Sequence, residues 1–370
     1  MRKNFGRSVL GISLVCASVM GFSQKKEPIN VIMMIGDGMG VAQVSSAFYF
    51  GNSAPNFQQF SITGFSETSS TSHRITDSAA GATALSTGQK TYKRAIGVDK
   101  DSASIPTILE QLQEKNYKTG LISLTSVTHA TPAAYYAHVK DRDLHEDIAT
   151  QLVPSGVNFI AGGGIKYFTK RKDHVDLLKE FTKRNYQYHT SLDLLDPKKN
   201  QIYLLADEGL PSKDEGREDF LPEMTQIALD YFEQQKQPFF LMVEGSYIDW
   251  GGHAKNANRV VQEVLDFDKT IGVVIEFVKK NPNTLLIVTA DHETGGVSLG
   301  KYSEKDPTTG KIVEVPRRVQ IEFNTDQHTA ALVPVFAMGK NQELFSGVYP
   351  NNEIYHKIVK AIAEAGVTIK

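Results

Sequence analysis

The run Ile75-Thr76-Asp77-Ser78-Ala79-Ala80-Gly81-Ala82-Thr83 sets a serine directly after an aspartate and directly before a series of small residues. A serine so placed fits the start of a helix, where unpaired backbone N–H groups and the positive end of the helix dipole favour an alkoxide and the anion it attacks. The small side chains at Ala79, Ala80 and Gly81 would let a tetrahedral oxyanion come close to the backbone. Asp and Ser also make an ordinary N-cap, because their side chains accept from orphan N–H groups. By itself the pair leaves both readings open.

A second set of residues offers donors for cations. Asp37 lies between Gly36 and Gly38, His129 two residues before Thr131, Glu244 five before Asp249, His253 four after Asp249, and Asp291 directly before His292. Oxygen and nitrogen donors with no cysteine are the ligand types that suit zinc and magnesium. Singly, each has a plain explanation as a turn residue, a surface carboxylate or a solvated histidine. Their common placement is harder to explain that way, since each follows an apolar run, and in an open parallel sheet ligands bind outside the carboxyl ends of the strands.

The apolar runs predict buried strands over 30–35, 118–125, 158–161, 239–243 and 284–290, and periodic stretches predict helices over 41–50, 105–116, 175–184, 223–235 and 257–280. In the last of these helices Val260, Val264, Phe267, Ile271, Val274 and Val278 recur at spacings of three and four and form one apolar face. Continuous apolar strands alternating with helices imply an α/β fold with a large, mostly parallel central sheet covered on both faces. The polar segment 302–318 reads as a solvated loop or small hairpin.

The N-terminus is of another kind. Arg2, Lys3 and Arg7 precede an apolar run over 9–20, and Gly21 and Ser23 supply small residues before Gln24, so residues 1–23 read as a secretory signal peptide cut after Ser23. The run falls short of the about 20 apolar residues that a membrane span needs. The single cysteine, Cys16, leaves with this segment, so no disulfide and no thiolate ligand is expected in the secreted chain. Losing three cations takes the formal net charge of −2 further negative, which argues against nucleic acid as a specific partner. Residues 24–370 show no linker and are expected to form one catalytic domain.

The motifs together resemble the alkaline phosphatase family over essentially all of 24–370. They are Ile35-Gly36-Asp37-Gly38-Met39-Gly40, the serine run Ile75 to Thr83, His129-Ala130-Thr131-Pro132 leading through Tyr136-Ala137-His138 to Arg142, Glu244-Gly245, Asp249-Trp250-Gly251-Gly252-His253, Thr289 to Gly296, and His328-Thr329. The resemblance implies two zinc ions and a magnesium. Asp249, His253 and His328 would hold the first zinc and Asp37, Asp291 and His292 the second. Asp37 would reach on to a magnesium site completed by Thr131 and Glu244. Ser78 would be the nucleophile and Arg142 the clamp on phosphate oxygens.

The reaction so implied is hydrolysis of phosphomonoesters to alcohol and inorganic phosphate through a phosphoserine, with cation charge offsetting the substrate dianion as is general for two-metal phosphatases. Members of the family differ at the positions of His129 and Trp250. Nitrogen from His129 beside the third site weakens the preference for magnesium and admits cobalt, while Trp250 lacks the charge a lysine would bring near phosphate. The alternatives are a phosphodiesterase of the same superfamily, or an inactive phosphate- or metal-binding protein. A homodimer, secreted to the periplasm or exterior without a membrane anchor, is the implied state.

One topological expectation follows from the ligand set. His328 precedes the predicted strand 331–337 whereas the other ligands follow theirs, so that strand must run antiparallel, or a long loop must carry His328 across the sheet. The short connection 298–327 implies a reduced version of the accessory region that larger relatives carry there.

Overall fold

The computed structural model describes residues 27–192 and 196–369. The expected signal peptide and its cleavage point lie outside the described residues. The strands are Asn30–Gly36 (β1), Ile62–Glu67 (β2), Lys118–Ser126 (β3), Phe159–Gly163 (β4), Tyr186–His189 (β5), Asn200–Leu204 (β6), Phe239–Gly245 (β7), Thr284–Thr289 (β8), Glu293–Thr294 (β9), Val297–Lys305 (β10), Ile312–Phe323 (β11), His328–Thr329 (β12), Val333–Gly339 (β13) and Gly347–Pro350 (β14). Ten of them form one sheet in the order β14-β2-β13-β8-β1-β7-β3-β4-β6-β5.

Alternate residues of the central strands point to opposite faces, and both faces are apolar. Val31, Met33 and Ile35 join Met242, Leu285 and Ile287 under the helices Ser78–Thr87, Ile108–Gln113 and Glu353–Glu364. Ile32 and Met34 join Leu241, Val243 and Val288 under Phe220–Gln235 and Ala257–Lys280. The six residues of the predicted apolar face of Ala257–Lys280 are all buried. This two-sided burial explains why the central strands are apolar throughout.

Register then sets the site. β1 pairs in parallel with β7, placing Ile35 beside Glu244, and with β8, placing Ile35 beside Thr289. The carboxyl ends of the three central strands are therefore level, and Asp37, Glu244 and Asp291 emerge along one edge. β13 is antiparallel to both β8 and β2, as the position of His328 requires. The two-residue strands β12 and β9 pair antiparallel with His328 opposite Thr294, which delivers His328 to the same edge.

Several elements differ from the sequence expectation. The helix expected over 105–116 is shortened to Ile108–Gln113, because Pro106 precedes a capping box in which Thr107 and Glu110 satisfy each other's backbone. Segment 302–318 belongs to a longer antiparallel hairpin of β10 and β11. The outer strands β2, β5, β6 and β14 and the helix Glu353–Glu364 have no counterpart in the sequence reading.

Gly38 shows how tightly the edge is built. Its φ of +72° is left-handed, and a Cβ there would lie 2.7 Å from Asp249 Cα and 2.8 Å from Thr294 Oγ1. Gly38→Ala is expected to cost about 2 kcal/mol of stability from backbone strain alone, and to lower bound metal by displacing Asp249. Denaturant unfolding together with metal analysis of the purified variant checks both outcomes.

Candidate active site and metal centre

Ser78 is the first residue of the helix Ser78–Thr87, and Asp77 is its N-cap, accepting from Ala80 N at 3.2 Å. The capping role of this pair is therefore real. The same carboxylate also accepts from Arg94 N through both oxygens and from Arg142 Nη1 at 3.3 Å. One aspartate thus starts the helix and orients the arginine. The helix packs so closely on the end of β8 that a Cβ at Gly81 would meet Asp291 O at 3.0 Å. Ser78 Oγ lies 3.2 Å from His292 Nε2.

Around this serine the ligating atoms gather in three groups, within each of which they lie no more than 4.8 Å apart: Asp249, His253 and His328; Asp37, Asp291 and His292; and Asp37, His129 and Glu244. In the first, His253 Nδ1 donates to Asp326 O at 2.6 Å and His328 Nδ1 to Thr76 O at 3.0 Å. With the protons on Nδ1, the Nε2 lone pairs face each other at 3.1 Å, and Asp249 Oδ1 lies 3.4 and 3.5 Å from them. Lone pairs converging on a carboxylate repel unless a cation lies among them, and backbone carbonyls on the distal nitrogens are the usual support of histidine ligands.

The second group is wholly buried. His292 Nε2 faces Asp37 Oδ1 at 3.4 Å and Asp291 Oδ2 at 3.2 Å. Both oxygens of Asp37 and Oδ2 of Asp291 are buried with no hydrogen-bond partner. Burial, reinforced by the charges of Asp291, Asp249 and Glu244, pushes the Asp37 carboxyl well above the usual range, although Arg142 opposes it. Asp291 is pushed up to about 6, by burial and then by Asp249. Burial, followed by the adjoining His328 ring, holds His292 well below its ordinary value, so its ring is neutral.

In the third group Glu244 Oε2 accepts from Ser123 Oγ at 2.6 Å, while Oε1, like the nearby Thr131 Oγ1, is buried. Burial raises Glu244 to about 7 against the pull of Ser123. Arg142 Nη2 donates to His129 Nε2 at 3.2 Å, leaving His129 Nδ1 buried without a partner. Burial, then Arg142 and His145, keep that ring neutral. Buried carboxylates this close cannot share their charge with water, and orphaned oxygens beside neutral imidazoles fit divalent cations. Trp250 stands apart, 42% exposed, with its ring edge-on to Tyr247.

The residue that sequence reasoning left without a role is Thr294. Its hydroxyl donates to Asp249 Oδ1 and accepts from His292 Nδ1 at 3.2 Å, so it joins a ligand of the first group to a ligand of the second. Its position two residues beyond His292, on the strand paired with His328, was the available signal. Thr294→Val keeps the shape and removes both hydrogen bonds, and is expected to weaken metal affinity about tenfold. Competition with a chromophoric chelator measures it. Complete metal removal is expected to lower Tm by several degrees, restored on readdition.

The fold and site define an α/β protein in which three cation-ligating groups converge on a helix-capped serine at the carboxyl edge of a parallel sheet. Residues 28–314 match the sequence profile of the alkaline phosphatase family. The chain belongs to that family, which is a family of enzymes. It is 40% identical to alkaline phosphatase 4 of Bacillus subtilis over 76% of this chain and 65% of that enzyme, just under two thirds of its length. Identity to alkaline phosphatase 3 of Bacillus subtilis is 33%, over 90% of this chain and 88% of that enzyme. The solved alkaline phosphatase of the Antarctic bacterium TAB5 superposes with a TM-score of 0.87 at 44% identity, covering 92% of this chain and 99% of that one. A TAB5 mutant with a histidine replaced by aspartate, equally similar in fold with a TM-score of 0.87 at 45% identity over 92% of this chain and 99% of that one, has Mg bound in its M3 site.

Proposed function

We propose that this chain, from residue 24 onward a single catalytic domain, hydrolyses phosphate monoesters to an alcohol and inorganic phosphate through a phosphoserine on Ser78. The observation that carries this reading is the joining of the ligand groups at one buried serine: His292 Nε2 lies 3.2 Å from Ser78 Oγ, its ring stacks on His328 of the first group, and Asp37 is common to the second and third. Asp249, His253 and His328 would hold one zinc, Asp37, Asp291 and His292 a second, and Asp37, Glu244 and Thr131 a magnesium with His129 alongside. Bound cations supply the positive charge that draws the substrate dianion, favours the Ser78 alkoxide and stabilises the departing oxygen.

The protein's own part is positioning. Ser78 Oγ bonds to phosphorus as the ester P–O bond breaks and the alcohol leaves. Water then bonds to phosphorus, the serine P–O bond breaks, and phosphate departs. Arg142, held from one side by Asp77 and from the other by His129, presents its remaining donors to two nonbridging oxygens. The positive end of the helix Ser78–Thr87, which favours an anion, begins at the same serine. The Mg of the TAB5 mutant, which accompanies a histidine-to-aspartate exchange, supports reading His129 as the residue that turns the third site away from magnesium and toward metals such as cobalt.

Secretion rests on the N-terminal segment, and among the described residues no helix is long and apolar enough to cross a membrane. Exposed Val41, Phe48 and Tyr49 on the helix Val41–Phe50, with Leu332, support a homodimer.

Ser78→Ala is expected to abolish hydrolysis of an aryl phosphate while retaining bound metal; activity equal to wild type overturns the nucleophile assignment. Arg142→Ala is expected to lower kcat/KM by about 100-fold through lost positioning. A diester cleaved faster than the corresponding monoester would favour the phosphodiesterase reading.

A further inference from the structure

We propose that the mouth of this site is a cationic subsite for the leaving group, so that the chain favours phosphomonoesters whose alcohol half itself carries an anionic group, such as a carboxylate or a second phosphate. The inference rests on the phosphomonoesterase reading above. An open cavity of about 860 Å³ lies directly over Arg142, His253 and His328, and everything in a substrate beyond the reacting phosphate must occupy it.

The charges around this cavity do not balance. Four side chains with permanent positive charge line it: Arg74, Lys93, Arg94 and Arg142. Arg94 is answered by Asp141 at 2.8 Å and by Asp143, and Arg142 by Asp77. Asp77, the only carboxylate of the lining among the described residues, is already engaged by the backbone of Ala80 and Arg94 as well as by Arg142. Arg74 and Lys93 make no side-chain hydrogen bond or ion pair among the described residues. Arg74 and Lys93 are thus unpaired, and the four cations exceed Asp77, Asp141 and Asp143 by one positive charge in a chain whose formal net charge is −2.

These cations are carried on backbone tied to the catalytic serine's own segment. Lys93 N donates to Ser72 Oγ at 3.1 Å, and Thr71 N to Thr91 O at 2.9 Å, which binds the two mouth loops together. Ser70 N donates to His73 O at 3.0 Å and closes the turn that leads into Arg74. The next residue after Lys93, Arg94, adopts a φ of +73° and gives its N–H to both oxygens of Asp77. A left-handed arginine persists only where its surroundings enforce it, so the aspartate that caps the Ser78 helix also sets where Lys93 stands.

A remote anion on the leaving group keeps its charge from ground state to transition state. Its contact with Arg74 and Lys93 lowers KM more than it raises kcat, and salt screens it.

The test uses the metal-loaded full chain with phenyl phosphate and 4-carboxyphenyl phosphate as matched substrates. The quantity read is the ratio of their kcat/KM values, in which the intrinsic reactivity of the two esters cancels between variants. At low ionic strength the double variant Arg74→Ala/Lys93→Ala is expected to lower this ratio about fivefold, chiefly through KM of the carboxylated ester, and added salt to do the same to wild type. Arg74→Glu/Lys93→Glu is expected to lower it further. A ratio unchanged in both double variants, with phenyl phosphate still hydrolysed, overturns the subsite and leaves the phosphomonoesterase reading intact. Wild-type enzyme inactive on both esters overturns the two together.

Discussion

Four carboxylates crowd the carboxyl edge of an apolar sheet, and most of what surrounds them answers their mutual repulsion. Asp37, Glu244 and Asp291 are fully buried, and Asp249 nearly so. Burial disfavours their charge, and each neighbour adds to the penalty. Only a counter-charge of comparable density resolves this, and Arg142 alone is too little: it opposes the rise of Asp37 without cancelling it. Divalent cations at these ligand groups would relieve the same crowding that otherwise favours protonation.

The histidines serve the same demand from the other side. Backbone carbonyls hold the protons of His253 and His328 on Nδ1 and the Thr294 hydroxyl that of His292, while the Nε2 lone pair of His129 is engaged by Arg142. A neutral imidazole presents a lone pair where a charged one would repel a cation. Asp77 is the hinge between this electrostatic centre and Ser78, because it caps the helix that begins at Ser78 and holds the arginine beside it.

The sheet's centre was legible in the sequence because strands buried on both faces must be apolar at every position, as in Val31-Ile32-Met33-Met34-Ile35. Its margins were not. β2 carries Gly64 and Ser66, and β6 opens on Asn200-Gln201, so neither shows a continuous run or a clean alternation. The helix Ser78–Thr87 has all ten residues buried and so lacks an amphipathic stripe; only its cap announced it. The ligand types could be read because Asp, Glu and His after apolar strands are chemically conspicuous, and the reversed strand was one of the two arrangements that the position of His328 allowed. Thr294 was not conspicuous, since a threonine in a strand has an ordinary reason to be there. Its importance exists only once β9 and β12 are paired. The same holds for the carbonyls of Thr76 and Asp326, which no side-chain pattern could reveal.

The reversed strand β13 and the small ladder of β9 with β12 carry a consequence for how the molecule comes into being. The first ligand group joins Asp249 and His253 to His328, across the hairpin of β10 and β11, and His328 in turn leans on Thr76 near the other end of the chain. The three ligands lie between residues 249 and 328, and only the support from Thr76 O reaches back into the first quarter of the chain. Loop closure over such separations is slow, and the contacts that reward it come late. A cation held by this group would therefore bind tightly only once β12 has paired with β9 and brought His328 beside Asp249 and His253.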